Sequence, residues 1–395
     1  MSLALLGLLL LASALALPFV RAQGTITTVP VGLEPYGVAY DSGKGEVFVA
    51  NAVNDTLSVI DDSTNTIVAT VHVGTVPNGV AYDSGKGEIF VANQDSGTVS
   101  VVSDSTNSVV ATVNVGSTPW SLAYDSGKGE VFVANFGSNS VSVISDSSNK
   151  VVATVSLGSG KEPLSIAYDP MKGEVFVADT GDNTVSVVSD ISNAVVASVT
   201  VGTAPHSIAY DSVKGELFVT SSLVSAVNVI SDANNALVAN ITLGGTPYAI
   251  ASDATGQVFV TSLNSDNVSV ISDSNNAVVT LAGQANQSRG ITYDSGKGEV
   301  FMTNYASNTV SVIPYASPST TSTTTTTSQS STTTHTSATT SSSTPTTSII
   351  TTASSSSSKA SNSSVSPSYL ALVGIQAGVV LLLAVLALQK HRKQA

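Results

Sequence analysis

Short apolar runs and turn-forming residues alternate along most of the chain. Within residues 77–116, the runs 79–82 and 88–92 are apolar, whereas 98–103 and 109–115 alternate between apolar and polar side chains. A period of two is typical of a β-strand that buries one face, and a short apolar run between turn residues is typical of a buried strand. The segment therefore predicts four strands. No stretch of the repeat region keeps a 3.6-residue apolar period, so no helix is predicted there.

The residues between these strands have the chemistry of tight turns. The sequence DSGKG at residues 83–87 joins the first two strands, and its two glycines predict a bulged hairpin with both glycines at positive φ. Residues 103–107 supply Asp, Ser and Asn between the third and fourth strands. These side chains hydrogen-bond to their own backbone in turns, so both connections are predicted to be turns.

The four-strand unit is repeated along the chain. The phrase YDSGKGE begins at Tyr40, Tyr82, Tyr124 and Tyr293, altered copies begin at Tyr168 and Tyr210, and Ser252 stands at the remaining position. Successive copies are about 42 residues apart, a period in the range of propeller blades. Seven such copies predict an all-β fold, a seven-bladed β-propeller of four-stranded antiparallel blades over residues 23–316.

The repeat resembles a known family. The phrases VFVANFGSNSVSVISDSSNKVVATVSLG and IFVANQDSGTVSVVSDSTNSVVATVNVG are similar to the YVTN-type β-propeller repeat of archaeal surface-layer and related envelope proteins, over about residues 25–315. The best copies differ from the family phrase in having Phe-Val-Ala-Asn instead of Tyr-Val-Thr-Asn. Ser221 and Ser262 also replace the Asn or Asp of the other copies. The resemblance implies the propeller fold, on which scaffolds, adhesins and enzymes are all found.

The ends of the repeat region predict how the ring closes. The seventh copy lacks a fourth strand, because Pro314 replaces the usual turn and a low-complexity segment follows. Residues 25–32, TITTVPVG, precede the first full copy and resemble the fourth-strand phrase ATVHVG. We therefore expect the N-terminal strand to complete the last blade, which removes two open sheet edges.

Composition excludes several classes of function. Only 10% of the residues are charged and the formal net charge is −13, so nucleic acid is not a predicted partner. The chain has no cysteine, which excludes disulfides, thiolate nucleophiles and cysteine-bound metals. Most carboxylates recur at the same position in every blade, as turn residues do, although Asp-rich turns can also hold calcium. With only His72 and His206 in the propeller, no catalytic residue, metal site or cofactor is predicted.

The terminal segments predict a membrane-anchored surface protein. Residues 1–22 contain a short apolar run and a small-residue cleavage site typical of a signal peptide, although an uncleaved anchor is an alternative because no early Lys or Arg is present. Residues 369–388 are long and apolar enough for a transmembrane helix. The basic tail 389–395 predicts a cytoplasmic C-terminus and an extracellular propeller.

The segment between propeller and anchor has too few apolar residues to fold. Residues 317–368 are almost entirely Ser and Thr with scattered Pro, which predicts a disordered stalk, either glycosylated and mucin-like or a bare tether. Candidate N-glycosylation sequons begin at Asn54, Asn240, Asn267, Asn286 and Asn362.

One position varies while its surroundings stay nearly constant. It follows the repeat proline (Ser288 in the seventh copy) and begins the innermost strand of each blade, so its side chains are expected to circle one mouth of the central channel. We call them the slot residues: Tyr36, Asn78, Trp120, Leu164, His206, Tyr248 and Arg289. They include the only Trp, and an imidazole that ordinarily titrates near neutral pH. They are the candidate ligand-binding site; a solvent-facing position free to vary is the alternative.

A second ring is expected on the same face, between the second and third strands: Asn51, Asn93, Asn135, Asp179, Ser221, Ser262 and Asn304. Asn at a strand end most simply caps a turn, so this ring is interpreted as structural.

The predicted topology favours a non-enzymatic role. The preferred hypothesis is a cell-surface propeller that binds another surface protein or a glycan at the channel mouth, as an adhesion or surface-layer-like envelope protein. The alternative, an extracytoplasmic lyase or quinone-cofactor oxidoreductase, rests on analogy between folds. A purely structural coat component is the third hypothesis, and it predicts self-association.

Overall fold

A computed structural model describes residues 24–265, 267–282 and 287–315. These residues form seven four-stranded sheets in which all neighbouring strands are antiparallel, which confirms the predicted propeller. The predicted signal peptide, stalk, transmembrane helix and basic tail lie outside the described residues, as do Asn286 and Asn362. Within the described ranges, no helix long and apolar enough to cross a membrane occurs.

Each blade runs from an inner to an outer strand. Blade 1 consists of β2 (Pro35–Asp41), β3 (Glu46–Asn51), β4 (Thr56–Asp61) and β5 (Thr66–His72). Blade 2 consists of β6 (Pro77–Asp83), β7 (Glu88–Asn93), β8 (Thr98–Ser103) and β9 (Ser108–Asn114). Blade 3 consists of β10 (Pro119–Asp125), β11 (Glu130–Asn135), β12 (Ser140–Ser145) and β13 (Lys150–Ser156). Blade 4 consists of β14 (Pro163–Asp169), β15 (Glu174–Asp179), β16 (Thr184–Ser189) and β17 (Ala194–Thr200).

The remaining blades follow the same order. Blade 5 consists of β18 (Pro205–Asp211), β19 (Glu216–Ser221), β20 (Ala226–Ser231) and β21 (Ala236–Thr242). Blade 6 consists of β22 (Pro247–Ser252), β23 (Gln257–Ser262), β24 (Asn267–Ser272) and β25 (Val278–Ala282). Blade 7 consists of β26 (Ser288–Asp294), β27 (Glu299–Asn304), β28 (Thr309–Pro314) and, on its outer side, β1 (Thr27–Pro30). Neighbouring inner strands contact one another around the whole ring.

The hydrophobic core lies between the blades. The second strand of each blade is buried on both faces, which explains its near-continuous apolar sequence. Each second strand contributes one fully buried phenylalanine, and these side chains pack in clusters that span two adjacent blades. The seven are Phe48, Phe90, Phe132, Phe176, Phe218, Phe259 and Phe301.

The first turn of each blade differs in one respect from the sequence prediction. Of the two glycines in the DSGKG phrase of blade 1, only the second, Gly45, has a positive φ, of 70°. A Cβ at Gly45 would also lie 2.8 Å from the Asp62 carboxylate. Both the backbone conformation and the available space therefore favour glycine at this position. The expectation of a positive φ at Gly43 was wrong, and Met171 and Val213 stand at its equivalent in blades 4 and 5.

The N-terminal strand closes the ring as predicted. Strand β1 pairs with β28 in antiparallel register from Thr27 opposite Val312 to Pro30 opposite Thr309. Val29, which is 3% exposed, packs in a cluster with residues of blades 7 and 1. The first and last parts of the propeller are therefore held in one sheet.

The repeat tyrosines bridge adjacent blades on the face opposite the slot residues. Tyr40 donates a hydrogen bond to Asp62 of its own blade at 3.2 Å and also lies against Asp294 of the preceding blade. Burial and the Asp294 carboxylate raise the pKa of this phenol. Blade 6 has no such phenol, because Ser252 stands at the tyrosine position. Asp211 of blade 5 and Asp273 of blade 6 interact directly at this junction, as Asp169 and Asp232 also do beside Tyr210.

This substitution makes the junction between blades 5 and 6 sensitive to pH. Burial, together with the Asp273 carboxylate, raises the pKa of Asp211 to about 6, and Glu216 adds to the effect. The folded state therefore binds a proton more tightly than the unfolded chain, whose Asp pKa is about 4. The protonated Asp211 therefore contributes fully to the free energy of unfolding below about pH 4. This contribution is lost as the pH rises through about 6.

We expect the melting temperature of the parent to fall by a few degrees between pH 4 and pH 7 relative to Ser252→Tyr, the shift that about 1 to 2 kcal/mol produces in a domain of this size. The variant restores the phenol between the two carboxylates, so it should respond less to pH. Asp211→Asn should flatten the pH dependence in the same way. If the melting temperatures of the parent and both variants change equally with pH, the carboxylate pair does not cause the pH dependence.

Candidate functional site

Each slot residue is the second residue of an inner strand, at a β-bulge. In blade 3, Pro119 lies opposite Asn135 and Ser121 lies opposite Ala134, so Trp120 is the extra residue on its strand. A register shift occurs at the equivalent place in all seven inner strands. Bulges bend a strand and redirect side chains, and they are common beside functional sites. The repeat therefore presents a variable side chain at the same point of each blade.

The structure brings the slot residues together around one cavity. Its volume is about 170 Å³, and six of the seven line it: Tyr36, Asn78, Trp120, Leu164, His206 and Arg289. Tyr248, the seventh, is 5% exposed and contacts three of them. Asn78, Leu164 and Tyr248 are buried and the other four are half-buried, so none of the slot residues is fully exposed to solvent.

Arg289 is held among aromatic rings in one sector of this cavity. Its Nη1 donates a hydrogen bond to the Tyr248 hydroxyl at 2.7 Å, and that hydroxyl is also hydrogen-bonded to the hydroxyl of Tyr36. The guanidinium carbon lies 4.8 Å from the ring centroids of Tyr248 and Tyr305 and 5.7 Å from that of Tyr36. Burial lowers the pKa of Arg289, but the three tyrosines outweigh this effect and the net shift is upward. The sector therefore carries a permanent positive charge.

The imidazole of His206 has a different role from the one expected. Its ring lies against that of Tyr248, with 3.6 Å between the centroids and an angle of 35° between the planes. Burial, reinforced by the nearby charge of Arg289, lowers the pKa of His206 to about 4. The side chain is consequently neutral at physiological pH, and the expectation of a group that titrates near neutrality was wrong. Its Nδ1 is buried without a hydrogen-bond partner, as is Nε of Arg289.

Two threonines of the second strands fix the backbone of this sector. Thr303 donates to the Tyr36 carbonyl at 2.9 Å, and Thr220 donates to the Tyr248 carbonyl at 2.8 Å. The equivalent residue in blades 1 to 4 is alanine, and these two bonds join blade 5 to blade 6 and blade 7 to blade 1. The threonines therefore fix the backbone of the tyrosines beside Arg289, and they do not recur in every blade of the propeller.

A second set of variable residues, one position after the expected Asn ring, contacts the slot residues and was not among the predicted site residues. Tyr305 packs edge-on against Tyr36 at 6.4 Å, and Phe136 lies 6.0 Å from Trp120. Gln94 accepts a hydrogen bond from Asn78 at 2.6 Å. The signal was present in the sequence, since the position reads Ala52, Gln94, Phe136, Thr180, Ser222, Leu263 and Tyr305 between nearly constant neighbours.

The Asn ring itself has the structural role predicted for it. Asn51 is buried, and its Nδ2 donates to Thr56 at 3.1 Å and to Ser58 at 2.9 Å, which pins the loop between β3 and β4. Asn304 makes the same pair of bonds in blade 7, and Oδ2 of Asp179 accepts the equivalent two bonds from Thr184 and Ser186 in blade 4. These residues hold the loops on which the second variable set is placed.

The remaining candidate residues that the structure describes lie at the surface of the propeller. The sequon residues Asn54, Asn240 and Asn267 are exposed, and His72 is exposed at the end of β5. Among the residues that the structure describes, no group of three or more His, Asp or Glu side chains is arranged to hold a metal ion.

Comparisons with known proteins support the architecture. No family model matches the chain, and no curated protein matches it significantly. Solved structures that share its fold include hydrazine synthase of Kuenenia stuttgartiensis, with 17% identity and a TM-score of 0.65 over 72% of this chain and 96% of that one. A streptogramin B lyase matches with 13% identity and a TM-score of 0.66 over 74% and 98%.

A propeller domain from Myceliophteria thermophila, Cps50 (Swd1), matches with 10% identity and a TM-score of 0.64 over 74% of this chain and all of its own. At such low identity these similarities establish the β-propeller fold alone. The similar structures include two enzymes and a propeller domain, so the fold does not select among functions.

Proposed function

We propose that the protein is a cell-surface propeller that binds a small acidic ligand, such as the uronic acid unit of a glycan, in the channel cavity. The observation that carries the proposal is the fixed cation of Arg289 among the rings of Tyr36, Tyr248 and Tyr305. Among the described residues that line the cavity, Arg289 is the one with a charged side chain at neutral pH. An anion is therefore the ligand that this sector favours.

The geometry suits a carboxylate attached to a ring. Nη1 of Arg289 donates to Tyr248 and the guanidinium also interacts with the Tyr36 hydroxyl, whereas Nε has no hydrogen-bond partner and remains a donor for a carboxylate oxygen. The aromatic side chains of Tyr36 and Trp120 meet edge to face at 5.9 Å and offer apolar surface beside that charge. A cavity of about 170 Å³ is smaller than the pockets that hold drug-sized ligands, so one sugar unit or a small carboxylic acid fits it best.

Titration of the full-length protein in detergent with glucuronate and with uncharged glucose tests this proposal. Glucuronate should bind at least ten times more tightly, because only it can pair with Arg289. Equal binding of the two sugars, or no binding of either, would refute an acid-specific site. A metal or cofactor retained by the purified protein would instead favour the enzyme alternative.

The surface location rests on the sequence of the terminal segments. A signal peptide, a Ser/Thr-rich stalk and one apolar segment followed by basic residues would place the propeller outside the cell on a tether. In that position the channel cavity can meet glycans or other surface proteins, as an adhesin or a surface-layer-like component would.

Protease added to intact cells is expected to release a soluble propeller fragment that ends within residues 317–368. The stalk is accessible and unfolded under this proposal, whereas a closed propeller resists cleavage. Mass spectrometry of the medium identifies the fragment. Protection of the propeller under conditions that digest other surface proteins would contradict the proposed orientation.

A further inference from the structure

A second cavity lies beside the channel cavity, where blade 7 meets blade 1. We call it the rim groove; its volume is about 200 Å³, and it is lined by Leu33, Glu34, Val53, Tyr305, Ala306 and Asn308. Its walls come from the link between β1 and β2, the loop between β3 and β4 and the loop between β27 and β28. The groove is therefore built from three loops at the junction that closes the ring.

The walls of the rim groove are tied to one another. The amide N–H of Glu34 donates to the Asn308 side chain at 2.8 Å, and the N–H of Ala52 donates to the Glu34 carbonyl at 3.1 Å. Glu34 itself has a φ of 54°, a conformation that non-glycine residues rarely adopt and that these bonds maintain. The groove is thus largely formed before any ligand binds.

Tyr305 lies between Arg289, which lines the channel cavity, and the rim groove. On one side its ring lies 4.8 Å from the guanidinium of Arg289, and on the other it lines the rim groove. Its hydroxyl donates to Glu34 Oε2 at 2.7 Å, which fixes the ring in place. A ligand bound to Arg289 could therefore continue over Tyr305 into the rim groove.

The groove has the surface chemistry of a sugar subsite. Leu33 and Val53 are 45% and 55% exposed, and both place apolar side chains on the wall of this cavity. The carboxylate of Glu34 accepts one bond from Tyr305 and has further lone pairs for hydroxyl donors. An apolar floor beside a hydroxyl acceptor matches a sugar ring, which has an apolar face of C–H groups and a polar edge.

From these contacts we infer that the protein binds an acidic disaccharide, or that unit of a longer glycan, with the uronic acid at Arg289 and the neighbouring sugar in the rim groove. The inference rests on the proposed function, because the position of the first sugar is the one assigned there. The second sugar packs on Tyr305, Leu33 and Val53 and donates hydroxyl bonds to Glu34.

Calorimetric titration of the full-length protein with glucuronate and with the disaccharide glucuronosyl-glucose tests the inference. The disaccharide should bind the parent about tenfold more tightly than the monosaccharide, since it adds contacts in the rim groove. The double variant Leu33→Ser, Val53→Ser should lose this advantage while its affinity for glucuronate stays unchanged. Glu34→Gln should reduce the advantage, because an amide is a weaker acceptor than a carboxylate.

The repeat provides matched controls. Leu223 holds the loop position of Val53 in blade 5 and is 73% exposed, and Glu162 holds the position of Glu34 in blade 4. Leu223→Ser and Glu162→Gln should leave both affinities at parental values. If the parent binds glucuronate but the disaccharide binds no more tightly, the rim groove inference is overturned and the proposed function stands. If the parent binds neither sugar, both are overturned.

Discussion

Deletion of residues 25–32 is expected to destabilise the whole propeller rather than one blade. The deletion removes β1, its antiparallel ladder with β28 and the buried side chain of Val29 between blades 7 and 1. Burial of one valine contributes about 1.5 to 3 kcal/mol, and each ladder hydrogen bond about 1 kcal/mol. Their combined loss, on the order of 5 kcal/mol, is a large part of the stability of a typical domain. Thermal melts and sedimentation should show a much lower midpoint and association through the open edges.

Point variants in β1 show whether the loss of stability comes from the missing contacts of this strand or from the shortened chain. Val29→Asp places a charge in the cluster between the blades and should lower the melting temperature strongly. Thr27→Asp changes an exposed residue at the start of β1 and should melt close to the parent. A deletion variant that melts like the parent and stays monomeric would show that β1 does not close the ring energetically.

Replacement of Trp120 and Arg289 by alanine is expected to abolish most ligand binding without unfolding the protein. Neither residue belongs to the repeated core, and both are half-buried at the channel cavity. Each substitution should weaken glucuronate binding by about 1 to 3 kcal/mol, or about tenfold to somewhat more than a hundredfold. Titration measures the loss, and a thermal melt of the same sample shows whether the fold is intact.

Two further variants identify which property of Arg289 matters. Arg289→Lys keeps the charge but lacks the planar fork, so it should recover only part of the affinity if the carboxylate is held by paired hydrogen bonds. Lys150→Met removes a positive charge from an exposed position at the start of the outer strand β13 and should not affect binding. Parental affinity in the Trp120→Ala, Arg289→Ala double variant would return the slot residues to the status of variable surface.

The pH dependence of binding should follow the ligand rather than His206. Because burial and Arg289 lower the pKa of His206 to about 4, this imidazole gains its proton only where a uronic acid is itself becoming neutral. Affinity should therefore change little between pH 5.5 and 8.

The slot residues could be found from the sequence because the repeat supplies its own comparison. Seven copies share a strand pattern, so a position that differs in nearly every copy, such as Trp120 or Arg289, stands out against six equivalents. The same comparison would have revealed Tyr305. Tyr305 is less obvious because it directly follows the near-constant Asn position, here Asn304, whose side chain bonds to Thr309 and Ser311.

The sequence by itself determined the number of blades, their four strands, the closing strand and the position from which the site is built. Each of these follows from local periodicity, turn chemistry and repetition along the chain. Only the tertiary structure determined which slot residues touch. Tyr36 and Tyr248 are 212 residues apart in the chain, yet their hydroxyls are hydrogen-bonded because the ring closes between blades 7 and 1. The low pKa of His206 and the rim groove depend in the same way on charges and surfaces from distant blades, and contacts of that kind leave no local pattern in a sequence.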